Sequence, residues 1–110
     1  MNDLPLTPLR RAPDLPRPPK HLESTERKLW NQLVSAFDFG DAASQAILRT
    51  ALEAHMRARR CREAIDRDGE AVKDRFDQIK PHPLLAAERD ARAAFISSMR
   101  SLNLDLASPK

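Results

Sequence analysis

Apolar residues between positions 24 and 37 recur at helical steps, with Leu29, Trp30, Leu33, Val34 and Phe37 falling on one face. Ser24 or Thr25 is placed to cap the start of this helix, Glu26 suits the positive end of its dipole, and Gly40 ends it. Asp41 then offers the N-cap of a second helix. From Ala42 to about Asp68 there is neither Gly nor Pro, so the span reads as one helix of about 40 Å at 1.5 Å per residue, stopped by Gly69. Within it Ile47, Ala51, Ala54, Ala58, Cys61 and Ile65 alternate four and three apart, the stripe that one helix presents to another. Leu48 and Leu52 widen the apolar face near its N-terminal end, where the first helix can pack across it.

Residues 70–80 break the helical period and set Val72, Phe76 and Ile79 among charges, which predicts a loop or a short two-stranded hairpin. Pro81 and Pro83 flank His82, whose ring is placed to fix the loop, and Pro83 suits the first turn of a last helix. That helix runs to about Leu102 with Leu84, Ala87, Ala91, Phe95, Ser98 and Leu102 in register, and Asn103 fits a left-handed C-cap. Two long helices with matching stripes and a short connection fold as an antiparallel hairpin. The expected fold class is therefore all-α, a short N-terminal helix plus the long hairpin, over residues 21–106. The residues expected to carry packing or oligomerisation are Trp30, Ile47, Ala51, Ala54, Ala58, Ile65, Phe95 and Leu102.

Residues 1–20 hold Pro5, Pro8, Pro13, Pro16, Pro18 and Pro19 among Arg10, Arg11, Arg17 and Lys20, and read as a disordered basic tail or a linker with no partner of its own. With 110 residues, the chain forms one domain with a thin core, for which self-association is a common source of stability. A net charge of +3 permits contact with nucleic acid without demanding it. Cys61 is the only cysteine, which excludes an internal disulfide or thiolate cluster and fits a reducing, cytoplasmic setting. No apolar run approaches the roughly 20 residues that span a bilayer, and the start lacks the apolar stretch of a signal peptide.

The densest basic segment, Arg57, Arg59, Arg60 and Arg62, admits a phosphate-binding reading. Against it, Glu53, Glu63 and Asp66 lie four residues from Arg57, Arg59, Arg67 and Arg62, which favours a solvated, self-paired helix surface. His21, His55 and His82 have no metal-ligand spacing, no nucleophile sits beside a base, and Gly40 and Gly69 are too few for a phosphate-cradling loop. No catalytic residue, metal, cofactor or small-molecule substrate is expected.

The order PPKHL, a helix with Trp30, Asp41 opening a long helix, Gly69, IKPHP, ERDARAAF and a closing LNLDL resembles the small terminase subunit of tailed phages, in the branch with His-Pro before the final helix. The resemblance covers roughly residues 18–106 and is strongest from Ile79 to Leu104, where His82, Pro83, Arg92, Leu102 and Leu104 match in order and spacing. The chain departs from the family at Asn103, where a Gly is usual, and around Phe76 and Asp77, where a loop Gly is common. The resemblance implies a non-enzymatic protein of the host cytoplasm that assembles as a ring, binds viral double-stranded DNA and delivers it to a separate large subunit with the ATPase and nuclease. The DNA contact is expected at Arg10, Arg11, Arg17, Lys20, Lys73, Arg75 and Lys80, which lie outside the long helices. The competing readings are a dimeric helical transcription regulator and an adaptor that binds protein only.

Overall fold

The structure, a computed structural model, describes residues 14–104. Three helices, α1 (Ser24–Ala36), α2 (Ala42–Asp68) and α3 (Leu84–Leu102), are joined by a short link and by a ribbon of two strands, β1 (Ala71–Lys73) and β2 (Ile79–Pro81). The chain is thus mostly helical rather than all-α. The ribbon is antiparallel, with Ala71 opposite Pro81, Val72 opposite Lys80 and Lys73 opposite Ile79. Asp74 shapes its turn: one carboxylate oxygen accepts from the Phe76 and Gln78 amides at 2.8 and 3.0 Å. Asp77 takes φ 63, a left-handed position that Gly fills at no steric cost, so the expected departure from a loop Gly falls where the backbone has use for one.

Helix α1 starts one residue outside the expected cap. Its N-cap is Glu23, without a side-chain cap bond, because the Glu23 carboxylate is drawn away to α2. It also ends before Gly40, at Ala36, with Phe37 extended and its amide bonded to the Leu33 carbonyl. Phe39 in the link turns inward and is buried. Asp41 caps α2 as expected, accepting from the Ser44 amide at 3.0 Å and its hydroxyl at 2.7 Å. Gly69 ends α2 at φ 89 and ψ 154, a region essentially closed to side chains with a Cβ. Pro83 occupies the N-cap of α3, not its first turn, and Asn103 closes that helix in the left-handed conformation.

Helices α2 and α3 lie antiparallel over the stripe of small residues, with Ala51, Ala58, Cys61, Ile65 and Ala91 buried. Ile47 and Ala54, seven residues apart and so on one side of α2, are only half-buried. The apolar core lies at the other end of the hairpin: Trp30 and Val34 of α1 pack with Leu48, Leu52 and Met56 of α2, and Phe95, Leu102 and Leu104 close it. Each fully buried leucine contributes about 1.5–3 kcal/mol.

The expected tail is shorter at its inner end. Leu15 packs on the core, Leu22 is buried, and the Trp30 indole N–H donates to the Pro16 carbonyl at 2.9 Å. A buried indole needs an acceptor. The Pro-rich segment supplies one, because its own carbonyls lack helical partners. Of the tail, residues 1–13 lie outside the described residues, as do 105–110.

Candidate functional site

Charged residues join the three helices at the middle of α2. Glu26, on the buried face of α1, is fully enclosed and accepts from Arg59 Nε at 3.0 Å, from the same guanidinium at 2.9 Å, and from His55 Nδ1 at 2.6 Å. Burial pushes the Glu26 carboxyl up, but the bonds from Arg59 and His55 outweigh it and hold the group below its ordinary value. Glu23 binds Arg60 and Arg59, which likewise lower it. On the other side, Glu88 of α3 accepts from Arg62 at 2.8 and 2.6 Å and from Arg92 at 3.1 and 2.9 Å. Arg62, against burial and with help from Arg92, pulls the Glu88 carboxyl down to about 2.

This corrects the reading of the arginine segment. Two of the expected intrahelical pairs are present, Arg59 with Glu63 and Arg62 with Asp66. Elsewhere the pairing differs: Glu53 faces Arg49 and His21, and Arg67 faces Asp68. The dominant partners lie 26–37 residues away in sequence, on α1 and α3. Every guanidinium nitrogen of Arg59 and of Arg62 has a carboxylate partner. Five carboxylates face four guanidiniums across the cluster, so it offers no excess positive charge to a phosphate. Its role is to clamp α1 and α3 onto α2.

Beside the clamp a groove of about 470 Å³ opens between α2 and α3. Ala58, Phe95 and Ile96 form its apolar floor, and Arg62, Glu63 and Arg92 stand on its rim. His55 packs edge-on against the Phe95 ring, with centroids 5.2 Å apart. Ile96 stays half-exposed.

The ribbon is anchored at its base by His82, as the sequence suggested. The His82 amide donates to the Glu70 carbonyl at 2.7 Å, and Nδ1 accepts from the Leu84 amide at 3.0 Å. Nδ1 therefore carries no hydrogen, and Nε2 donates to Asp68, 3.0 Å away. Beyond this anchor the ribbon projects Phe76 and Ile79 into solvent.

The cations expected to meet DNA fall into two groups. Arg10 and Arg11 lie outside the described residues; Arg17 and Lys20 are exposed near the α1 end, where Arg17 shares a shallow groove with Arg49 and Trp30. Lys73, Arg75 and Lys80 are on the ribbon. The bond of His21 to Glu53 puts the neighbouring Lys20 roughly 20 Å from the ribbon along α2, at 1.5 Å per residue. Two of the three ribbon cations face a carboxylate, and the third covers a ring. Lys73 faces Asp77 at 3.4 Å, Lys80 faces Asp74 at 3.2 Å, and Arg75 lies over the Phe76 ring at 4.9 Å. Among the described residues no group of His, Cys, Asp or Glu is arranged to hold a metal ion, and no helix is long and apolar enough to cross a membrane.

Comparison with protein-family models, with curated proteins and with solved structures gives no match to this chain.

Proposed function

We propose that this chain is the small terminase subunit of a tailed phage, a non-enzymatic protein that assembles as a ring in the host cytoplasm, binds viral double-stranded DNA and presents it to the large, catalytic subunit. The observation that carries the reading is apolar surface left open at two separate places, Phe76 and Ile79 on the ribbon and Ile96 in the α2–α3 groove, on a small body that gains by covering it. The order of motifs from Ile79 to Leu104 adds to this, because His82 occupies a structural post that explains why a His-Pro would precede the last helix.

The DNA contact in this proposal rests more on Arg10, Arg11, Arg17 and Lys20 than on Lys73, Arg75 and Lys80, since the ribbon cations have neighbours that neutralise or cover them. Many weak contacts repeated around a ring add without a strong site in any one subunit. Fluorescence anisotropy with duplex DNA at several salt concentrations tests it. Binding should weaken steeply with salt, and alanine at the four tail positions should reduce both affinity and salt slope, whereas Arg59→Ala should act through folding alone. No binding even at low salt would leave the protein-only adaptor in its place.

A further inference from the structure

We infer that His82 is a pH-sensitive latch: a proton taken up by its ring expels the ring from its seat between α2 and α3, and so frees the base of the ribbon and the first turn of α3. This device is independent of the DNA reading and rests on how the two ring nitrogens are committed. The His82 side chain is 6% exposed, its Nδ1 accepts from the Leu84 amide at 3.0 Å, and its Nε2 donates to Asp68 at 3.0 Å. A neutral imidazole has one donor and one acceptor, and this seat uses both; an imidazolium has two donors and no acceptor. A proton added from solvent at Nδ1 therefore sets two N–H groups head to head and leaves the Leu84 amide without a partner. It also puts positive charge at the N-terminal end of α3, where the helix dipole opposes it.

The charges around the ring do not reverse this balance. From α2, Asp68 faces the ring, and its other oxygen accepts from Arg67 at 3.1 Å. The Asp68 side chain is 40% exposed, so water screens its added attraction for a charged ring, whereas the clash at Nδ1 is buried. From the ribbon, Lys80 is turned to Asp74 at 3.2 Å, and Glu70 meets His82 through its backbone carbonyl. From α3, Glu88 is held by Arg62 and Arg92.

The other two histidines respond in the opposite sense. His21 meets Glu53 through Nε2 at 2.7 Å and His55 meets Glu26 through Nδ1 at 2.6 Å, and a protonated ring keeps each bond while adding charge to it. The carboxyls of Glu23, Glu26, Asp68 and Glu88 are all held below their ordinary values, so none of them titrates between about pH 5 and 8, where histidines change charge. Acid in that window thus leaves α1 clamped to α2 while it unlatches the ribbon. The backbone bond from His82 to the Glu70 carbonyl, 2.7 Å long, remains as the pivot about which the strands carrying Phe76 and Ile79 turn.

Nuclear magnetic resonance of the 15N-labelled full chain tests the latch between about pH 8 and 5. Imidazole spectra at the upper end should show His82 protonated at Nε2 and bare at Nδ1; a hydrogen on Nδ1 there would overturn the inference. On acidification, the hydrogen-exchange protection of the Leu84 amide, corrected for the intrinsic rate, should fall by about tenfold, as expected for one buried bond lost, while that of the Leu52 amide in the core holds. Unchanged protection at Leu84, or a loss shared equally by Leu52, would contradict a local latch. In His82→Asn the side-chain oxygen can still accept from the Leu84 amide but takes up no proton, so protection at Leu84 should be the same at both ends of the window. If that variant loses protection with acid as the parent does, His82 is not the latch; if it does not fold, the tautomer and the protection of the parent chain still decide.

Discussion

Replacing Glu26 with alanine should do more damage than any other single change at the charged cluster. The substitution removes three charge-assisted bonds, two from Arg59 at 3.0 and 2.9 Å and one from His55 at 2.6 Å. It also leaves a cation facing a void that α1 had sealed. Breaking a buried ion pair by deleting one partner costs about 3–5 kcal/mol. Two features place this site at the low end of that range. The side chains of Arg59 and His55 are 26% and 31% exposed, so water reaches them, and Arg59 keeps Glu23 and Glu63. The expected loss is therefore about 3 kcal/mol, which at roughly 4–8 °C per kcal/mol for a domain of this size lowers the melting temperature by about 12–24 °C. Glu26→Gln should lose about half as much, since one oxygen remains to accept. Glu63→Ala is the control: its carboxylate meets the same arginine but is 63% exposed, and such pairs contribute about 0.2–1 kcal/mol. Thermal melts by circular dichroism decide the matter. If Glu26→Ala and Glu63→Ala differ by less than about 1 kcal/mol, the clamp does not hold α1 and the reasoning from burial is wrong.

Gly69→Ala should cost about 1–3 kcal/mol in a chemical melt, through backbone strain alone, because the added Cβ would meet only the Ala71 carbonyl oxygen at an ordinary 3.6 Å. The Glu88 carboxyl is held near 2 against an ordinary 4.5, so its stabilisation is full above about 4.5 and is lost as pH falls toward 2. The melting temperature should drop across that window, and Glu88→Gln should flatten the drop. Removing residues 1–19 should lower the melting temperature, since it deletes the Pro16 acceptor of Trp30 and the packing of Leu15; an unchanged midpoint would show that this segment does not brace the core.

Much of the architecture was legible because it follows from local pattern. The span of α2 needed only the run without Gly or Pro between Asp41 and Gly69, and the helical hairpin followed from two stripes of equal period. His82 was legible for a similar reason, since prolines on both sides leave a ring few ways to sit. The charged cluster was not. Spacing along a helix reveals partners three or four residues away, whereas Glu26 meets Arg59, and Glu88 meets Arg62, only once three helices are docked. One signal was present: Glu26 lies four residues before Trp30 and eight before Val34, on the apolar face of α1, where a carboxylate demands a cation. The Pro-rich segment misled in the opposite direction. Its composition correctly forbids helix, but extended chain can still lie against a core when an indole needs a carbonyl. Likewise, charge counting along the ribbon could not show that Lys73 and Lys80 each face an aspartate.

The central claim is that this chain works as an assembly, and its mass in solution tests that most directly. Native mass spectrometry or sedimentation of the purified protein over a range of concentrations should give one closed species of many copies. A dimer would point to the regulator reading, and a monomer at every concentration would contradict the account.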